Sequence, residues 1–305
     1  MIKDEKKTSD AVRIRPAPLR SLHARLSQTP LRVPILWLRH REIRPADVFL
    51  ASYPRSGSTW VRFTIYEALT GKPSEFAAVN ESFRVIGEHF EAPKMLPQKG
   101  RFIGTHEQYR PAYQRAIYLV RDIRDVALSQ YARECEKGIA PPTFDNYLID
   151  LLSGRRRHGA WHDHVLSWLD SRLSGENLLV MYYENIRANP EVAFTKIMDF
   201  LGTSCDASTL RRAIQNNSLE EMRSKEDRLN ATSTAKVVKR PVRRSTEEDG
   251  RFVRRGLVGG WRGRLTDSQQ RLIERYAGKA LRRAGYLLEF ETPKGHDLKV
   301  DCANI

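Results

Sequence analysis

Val48-Phe49-Leu50-Ala51-Ser52-Tyr53-Pro54-Arg55-Ser56-Gly57-Ser58-Thr59-Trp60 reads as a buried strand that turns into a helix. The first five residues are a short, uncharged, mostly apolar run, and Tyr53-Pro54-Arg55-Ser56-Gly57 is a turn signal. Beyond it Val61, Ile65, Ala68 and Leu69 form a helical stripe, and Gly71 stands where a C-terminal cap belongs. Small residues after a strand let backbone N–H groups point into one concavity. The start of the next helix adds more unsatisfied N–H groups and a positive dipole end. Such a loop cradles a phosphate, although the same pattern also serves as a plain strand-to-helix turn. Arg55 adds a guanidinium fork, and Ser58 and Thr59 add hydroxyl donors. The segment is not a Walker A loop: the first Gly is missing, and the basic residue precedes the Gly. Nor is it a Rossmann turn, since Gly256, Gly259 and Gly260 have the wrong spacing and no strand before them.

Outward from this loop the same alternation repeats. Arg101–Thr105, Ala116–Val120 and Leu178–Tyr182 read as three further strands. Helices are expected over about 125–134, from Pro190 to Leu201 with Gly202 just past the end, and from about Thr266, a plausible N-cap, to Ala284. Residues 204–249 are polar, helix-prone in part and then loop-like. Short apolar strands alternating with helices predict an α/β fold: a central, mainly parallel sheet flanked by helices on both faces. The expected organisation is a basic, Pro-punctuated arm over 1–45, one domain over 46–290 and a tail over 291–305.

The chain has 305 residues, 52 Lys and Arg against 37 Asp and Glu, and a formal charge of +15. A basic protein seeks anions, whether nucleic acid, lipid headgroups or phosphorylated small molecules, and charge alone does not choose among them. One basic cluster lies in residues 1–45 and a denser one runs from Lys236 to Arg264. Cys135, Cys205 and Cys302 are odd in number, far apart and outside any ligand spacing. A disulfide framework and a zinc site are therefore not expected, and a reducing cytoplasm fits best. No apolar run approaches the roughly 18–20 residues that span a bilayer. The N-terminus lacks a signal-peptide pattern, and Leu31–Leu38, broken by Arg32 and Pro34, is expected to pack in a folded chain rather than lie on a membrane.

Three segments, in order, resemble the PAPS-dependent sulfotransferases, where PAPS is 3′-phosphoadenosine 5′-phosphosulfate. Tyr53–Trp60, YPRSGSTW, is similar to the family's 5′-phosphosulfate loop, commonly YPKSGTTW. Val120–Ser129 resembles the family's strand-then-helix segment of the form RNPxDxxxS, in which the Arg and a Ser eight residues on hold the 3′-phosphate. Those positions are Arg121 and Ser129; by itself Arg121 also reads as a surface ion pair with Asp122 or Asp125. Phe252–Trp261 resembles the family's RKGxxGDW loop, which closes over the 3′-phosphate, so Arg254, Arg255 and Gly256 carry over. Gly260 replaces the usual acidic or amide residue there. Trp60 and Tyr183 occupy positions that hold adenine in the family, and each also reads as a core aromatic. The resemblance spans about residues 48–264. It implies a P-loop-like three-layer fold and PAPS as co-substrate, with Arg55, Ser56, Gly57, Ser58, Thr59 and Trp60 at its 5′ end.

Sulfuryl transfer resembles phosphoryl transfer, an in-line displacement at a tetrahedral centre. The acceptor must lose a proton, and the charge growing on the leaving phosphate must be neutralised. His106 sits just past a predicted strand end, where α/β ligand crevices form, and an imidazole takes a proton at neutral pH. In the family this position, usually in a KTH triplet, is the catalytic base. Gly104 departs from that pattern, since the family's Lys there touches the transferring group. Arg55 and the loop amides are the candidates for stabilising charge. No metal is expected, and His158, His162 and His164 around Trp161 read as structural or acceptor-lining. Rival readings are a P-loop kinase, a basic nucleic-acid binder without catalysis and a scaffold that has lost activity. The partner expected is a small-molecule, glycan or lipid acceptor, with no nucleic acid and with peripheral membrane contact through the arm. Neither the acceptor nor the oligomeric state is spelled by the sequence.

Overall fold

Four strands, β1 (Val48–Ser52), β2 (Phe102–Thr105), β3 (Ala116–Val120) and β4 (Leu178–Tyr182), pair in parallel in the order β2-β1-β3-β4. This computed structural model describes residues 32–173, 175–232 and 253–290. The arm before residue 32, the basic run from Lys236 to Arg251, Phe252 and the tail over 291–305 lie outside the described residues. Strands β1, β2 and β3 are buried throughout, as uncharged runs in a doubly covered parallel sheet must be. Strand β4, at one edge, has the same composition but is largely half-buried, whereas β2 at the other edge is covered by the bridge between Val85 and Gly104.

Alternation along the strands divides the core in two. Phe49, Ala51, Ile103, Tyr118 and Val120 face one layer. It is built from α4 (Ile123–Glu136), α5 (Phe144–Leu152), α6 (Trp161–Leu169) and α11 (Asp267–Arg283). Val48, Leu50, Phe102, Ile117 and Leu119 face the other. That layer holds α2 (Ser58–Thr70), α3 (Phe76–Ser82), α7 (Tyr183–Ala188), α8 (Pro190–Leu201), α9 (Ala207–Gln215) and α10 (Leu219–Thr232). The result is the three-layer α/β fold read from the sequence.

Helix ends follow the expected chemistry. Gly71 and Gly202 close α2 and α8 in the left-handed conformation, and Thr266 begins α11 in a capping box with Gln269. Helix α4 starts at Ile123, not near 125, because the Asp122 carboxylate accepts from the Arg124 N–H at 2.9 Å and acts as the cap. Ser129 consequently lies nearly two turns into α4. Two helices, α9 and α10, occupy the stretch after 204. Helices α3, α5 and α7 were not expected.

Two compact units divide at Arg41 and Glu42. Within the first, α1 (Arg32–His40) is a short helix where no element was expected, and its Trp37 and Leu38 side chains are exposed rather than packed. The second begins with a buried tie: the Arg101 guanidinium donates to both Asp47 carboxylate oxygens, at 3.0 and 2.6 Å, and to the Glu42 and His89 carbonyls.

Candidate active site

Strands β1 and β3 both end at one crevice, because neighbours lie on either side of β1 and the chain turns away in both directions. The loop after β1 bends there through Arg55, at φ +73°, and Gly57, at φ +95°. A Cβ on Gly57 would stand 2.6 Å from Cδ2 of Tyr183, so only glycine fits. Gly57 caps α2 with no side-chain hydrogen bond, which leaves the first amides of α2 to a ligand. Ser58 and Thr59 open that helix. Beside them the buried Ser56 hydroxyl has no hydrogen-bond partner. Arg55 Nε donates to Ser129 Oγ at 3.0 Å, which joins the first loop to α4. Burial, then the neighbouring guanidiniums of Arg133, Arg121 and Arg254, push Arg55 down to about 9, and Glu226 opposes them.

Arg121, at the end of β3, is the hub. One nitrogen donates to the Arg55 carbonyl at 3.0 Å and another to the Leu257 carbonyl at 2.9 Å. Its guanidinium lies 4.3 Å from the centre of the Tyr183 ring, and Asp125 approaches to 3.9 Å. The Tyr183 hydroxyl donates to the Gly256 carbonyl at 3.0 Å. Arg254 donates to the Leu128 carbonyl at 3.2 Å, and the half-buried Arg255 follows it. The buried Glu226 carboxylate accepts from the Val253 N–H at 2.9 Å. Asp125 accepts from the Gly259 N–H at 2.9 Å. A Cβ on Gly260 would lie 3.6 Å from that carboxylate, so an acidic side chain at 260 would meet a like charge. Trp60 stands edge-on to Tyr183 and to Phe194, with Arg187 over its ring. The three separated motifs therefore meet in one basin. Its guanidiniums, open helix amides and unpaired Ser56 hydroxyl fit a ligand carrying two phosphate-sized anions.

His106 follows β2 directly. Its Nδ1 lies 2.7 Å from the Ser52 carbonyl oxygen, which can only accept, so Nδ1 carries the hydrogen. The neutral ring then keeps its lone pair on Nε2. His158 stands edge-on to it, ring centres 5.7 Å apart. Burial, then the His106, Arg157 and His164 charges, push His158 down to about 3. His164 is fully buried with Nδ1 2.9 Å from the Tyr118 hydroxyl, and burial above all pushes it down to about 3. His162 lies near Asp163 instead. Among the described residues no His, Cys, Asp and Glu cluster of three or more is placed to hold a metal ion. At Gly104 the room for a side chain borders Val85, whose Cγ1 would be 3.4 Å from a Cβ.

Sequence reasoning missed Asp125 as an anchor of the third loop, Glu226, and Arg133 beside Arg55. The four-residue spacing of Asp125, Ser129 and Arg133 was the available signal. Glu226 gave none, because its partner is a backbone N–H far along the chain.

The sulfotransferase-domain family model matches residues 45–285. This chain is a member of the sulfotransferase family. The sulfotransferase is 29% identical over 280 residues to sulfotransferase 1B1 of Mus musculus, covering 84% of this chain and 89% of that protein. It is 28% identical over 271 residues to sulfotransferase 1A1 of Bos taurus, covering 82% and 87%. Among solved structures it superposes on mouse sulfotransferase SULT7A1 complexed with PAP, at TM-score 0.61 and 23% identity over 82% of this chain and 88% of that one. It also superposes on retinol dehydratase in a complex with retinol and PAP, at TM-score 0.63 and 18% identity over 87% and 88%.

Proposed function

We propose that this sulfotransferase moves a sulfuryl group from PAPS to a hydroxyl or amine of a small-molecule, glycan or lipid acceptor and releases PAP, the donor without its sulfuryl group. The observation that carries the reading is Arg121. It lies on Tyr183 and ties the carbonyl of Arg55 in the first loop to that of Leu257 in the third. Arg121, Ser129, Arg254, Arg255 and the Gly256 amide take the 3′-phosphate. Arg55, Ser56, Gly57, Ser58 and Thr59 take the 5′-phosphosulfate, and Trp60 and Tyr183 flank the adenine. Bound there, PAPS supplies the sulfuryl group. His106 accepts the acceptor's proton at Nε2, with Ser52 fixing the tautomer. Arg55 stabilises charge on the leaving phosphate and does not act as an acid, since its role needs the charge kept. The retinol and androsterone complexes of retinol dehydratase support a small-molecule acceptor over a nucleic acid.

The catalytic body is assigned to 46–290, in the cytoplasm, with the arm over 1–45 making peripheral membrane contact. Ten Lys and Arg against three Asp and Glu over residues 1–41 support that contact. So do the exposed Trp37 and Leu38.

Thermal stability with PAP, beside ATP with Mg²⁺, tests the donor site. PAP alone should raise the melting temperature, whereas a shift with Mg-ATP alone would favour a kinase. His106→Ala should abolish turnover with PAP still bound, and normal turnover removes His106 as the base. Arg121→Ala should weaken PAP far more than adenosine 5′-phosphosulfate, which lacks the 3′-phosphate.

A further inference from the structure

We propose that Arg133 is a second cation of the transfer site, a catalytic residue whose guanidinium touches the sulfuryl group of the donor. The inference rests on the sulfuryl-transfer reading above and adds a residue to it. Asp125, Ser129 and Arg133 fall four residues apart along one face of α4. The first anchors the third loop through Gly259, and the second receives Arg55. Arg133 thus stands one turn beyond Ser129, the residue that receives Arg55. Its side chain is only 12% exposed, and Glu136, one turn on, pairs with it and is 6% exposed.

Arg133 also bears on Arg55 more strongly than Arg121 or Arg254 does. Folding seldom gathers guanidiniums in a low-dielectric cleft unless an anion is to lie among them. Arg121 and Arg254 already have assignments at the 3′ end. Arg133 lies at the far side of Ser129 from Asp125, away from the third loop. The opposite wall offers no cation from β2, because Gly104 has no side chain and Val85 borders its space. Sulfuryl oxygens carry negative charge before and during transfer, and donors fixed in advance stabilise it. Arg133 makes and breaks no covalent bond. Its N–H groups hold those oxygens while Glu136 keeps the fork oriented.

The test compares affinity for PAPS with affinity for PAP, by calorimetry, in the full-length protein. The two ligands differ only in the sulfuryl group, so no acceptor is needed. Arg133→Met should lose at least about tenfold in PAPS affinity and leave PAP unchanged within a factor of about two. Arg133→Lys should keep most of the discrimination. Adding Gly104→Lys to Arg133→Met should restore it, since a cation then comes from the opposite wall. Equal loss for both ligands, or no loss for either, overturns the proposal. If Arg133→Met fails to fold, Arg133→Gln can still hydrogen-bond Glu136 and carries the same comparison. Wild-type protein that binds neither ligand would instead overturn the donor reading itself.

Discussion

At the scale of single residues, the donor basin depends on positions that no larger side chain can fill. Gly57 has φ +95° and a neighbour 2.6 Å from where its Cβ would be. Gly57→Ala should cost about 1–3 kcal/mol in stability from the backbone alone and should reduce PAP affinity by more than about tenfold, read by calorimetry; unchanged affinity would show that Tyr183 moves freely. Arg55 gives a pH signature. Burial and its cationic neighbours work against its proton, yet a guanidinium keeps its charge where an ammonium in the same place would not. PAP affinity should therefore stay flat up to about pH 10 in the wild type and fall as pH rises toward about 10 in Arg55→Lys, and a wild-type fall near about pH 9 would contradict that. Much of this was legible in the sequence, because Arg55, Gly57, Arg121 and Arg254 stand in contiguous motifs. Asp125 and Glu226 were not, since each works by accepting from a backbone N–H brought near by folding.

At the scale of elements, β1 and β3 were readable to the residue because a doubly covered strand must be an uninterrupted uncharged run, and the half-buried β4 was readable because Leu178–Tyr182 is just as uncharged. Helices α3 and α5 were hidden for a different reason: at seven and nine residues each is too short to display a helical period clearly. Helix α6 carries a testable consequence. His164 is neutral in the folded protein, held down to about 3 by burial first and then by His106. Its unfolded value is near 6.5. The unfolded chain thus takes up a proton that the folded one refuses, so the contribution is full above pH 6.5 and drains away as pH falls toward 3. The slope is about 1.4 kcal/mol per pH unit. His164→Gln should flatten the pH dependence of unfolding free energy between pH 6 and 4 by about that slope. An unchanged slope would mean that His164 titrates normally.

At the scale of the whole molecule, the body from Glu42 onward is fastened at its start by Arg101 and Asp47. That pair is almost wholly enclosed, and Arg101→Ala would leave an uncompensated carboxylate. The expected loss is about 3–5 kcal/mol, measured by urea unfolding, with Asp47→Asn/Arg101→Met losing less. If the double variant loses as much as the single one, the cost belongs to packing and not to charge.

The two layers are not completed together. The one containing α2, α8 and α9 draws its last buried side chains from about Met222. The other needs Trp261, Leu265, Ile273 and Leu281 from the end of the body. On the ribosome the chain emerges from its start, at about 5–20 residues per second. All four strands and helices α4, α5 and α6 are therefore available while the side chains of that layer that α11 covers still face water. The interval is about 5–20 s on the same rates, a period in which a chaperone has a greasy surface to hold and a neighbouring nascent chain has one to stick to.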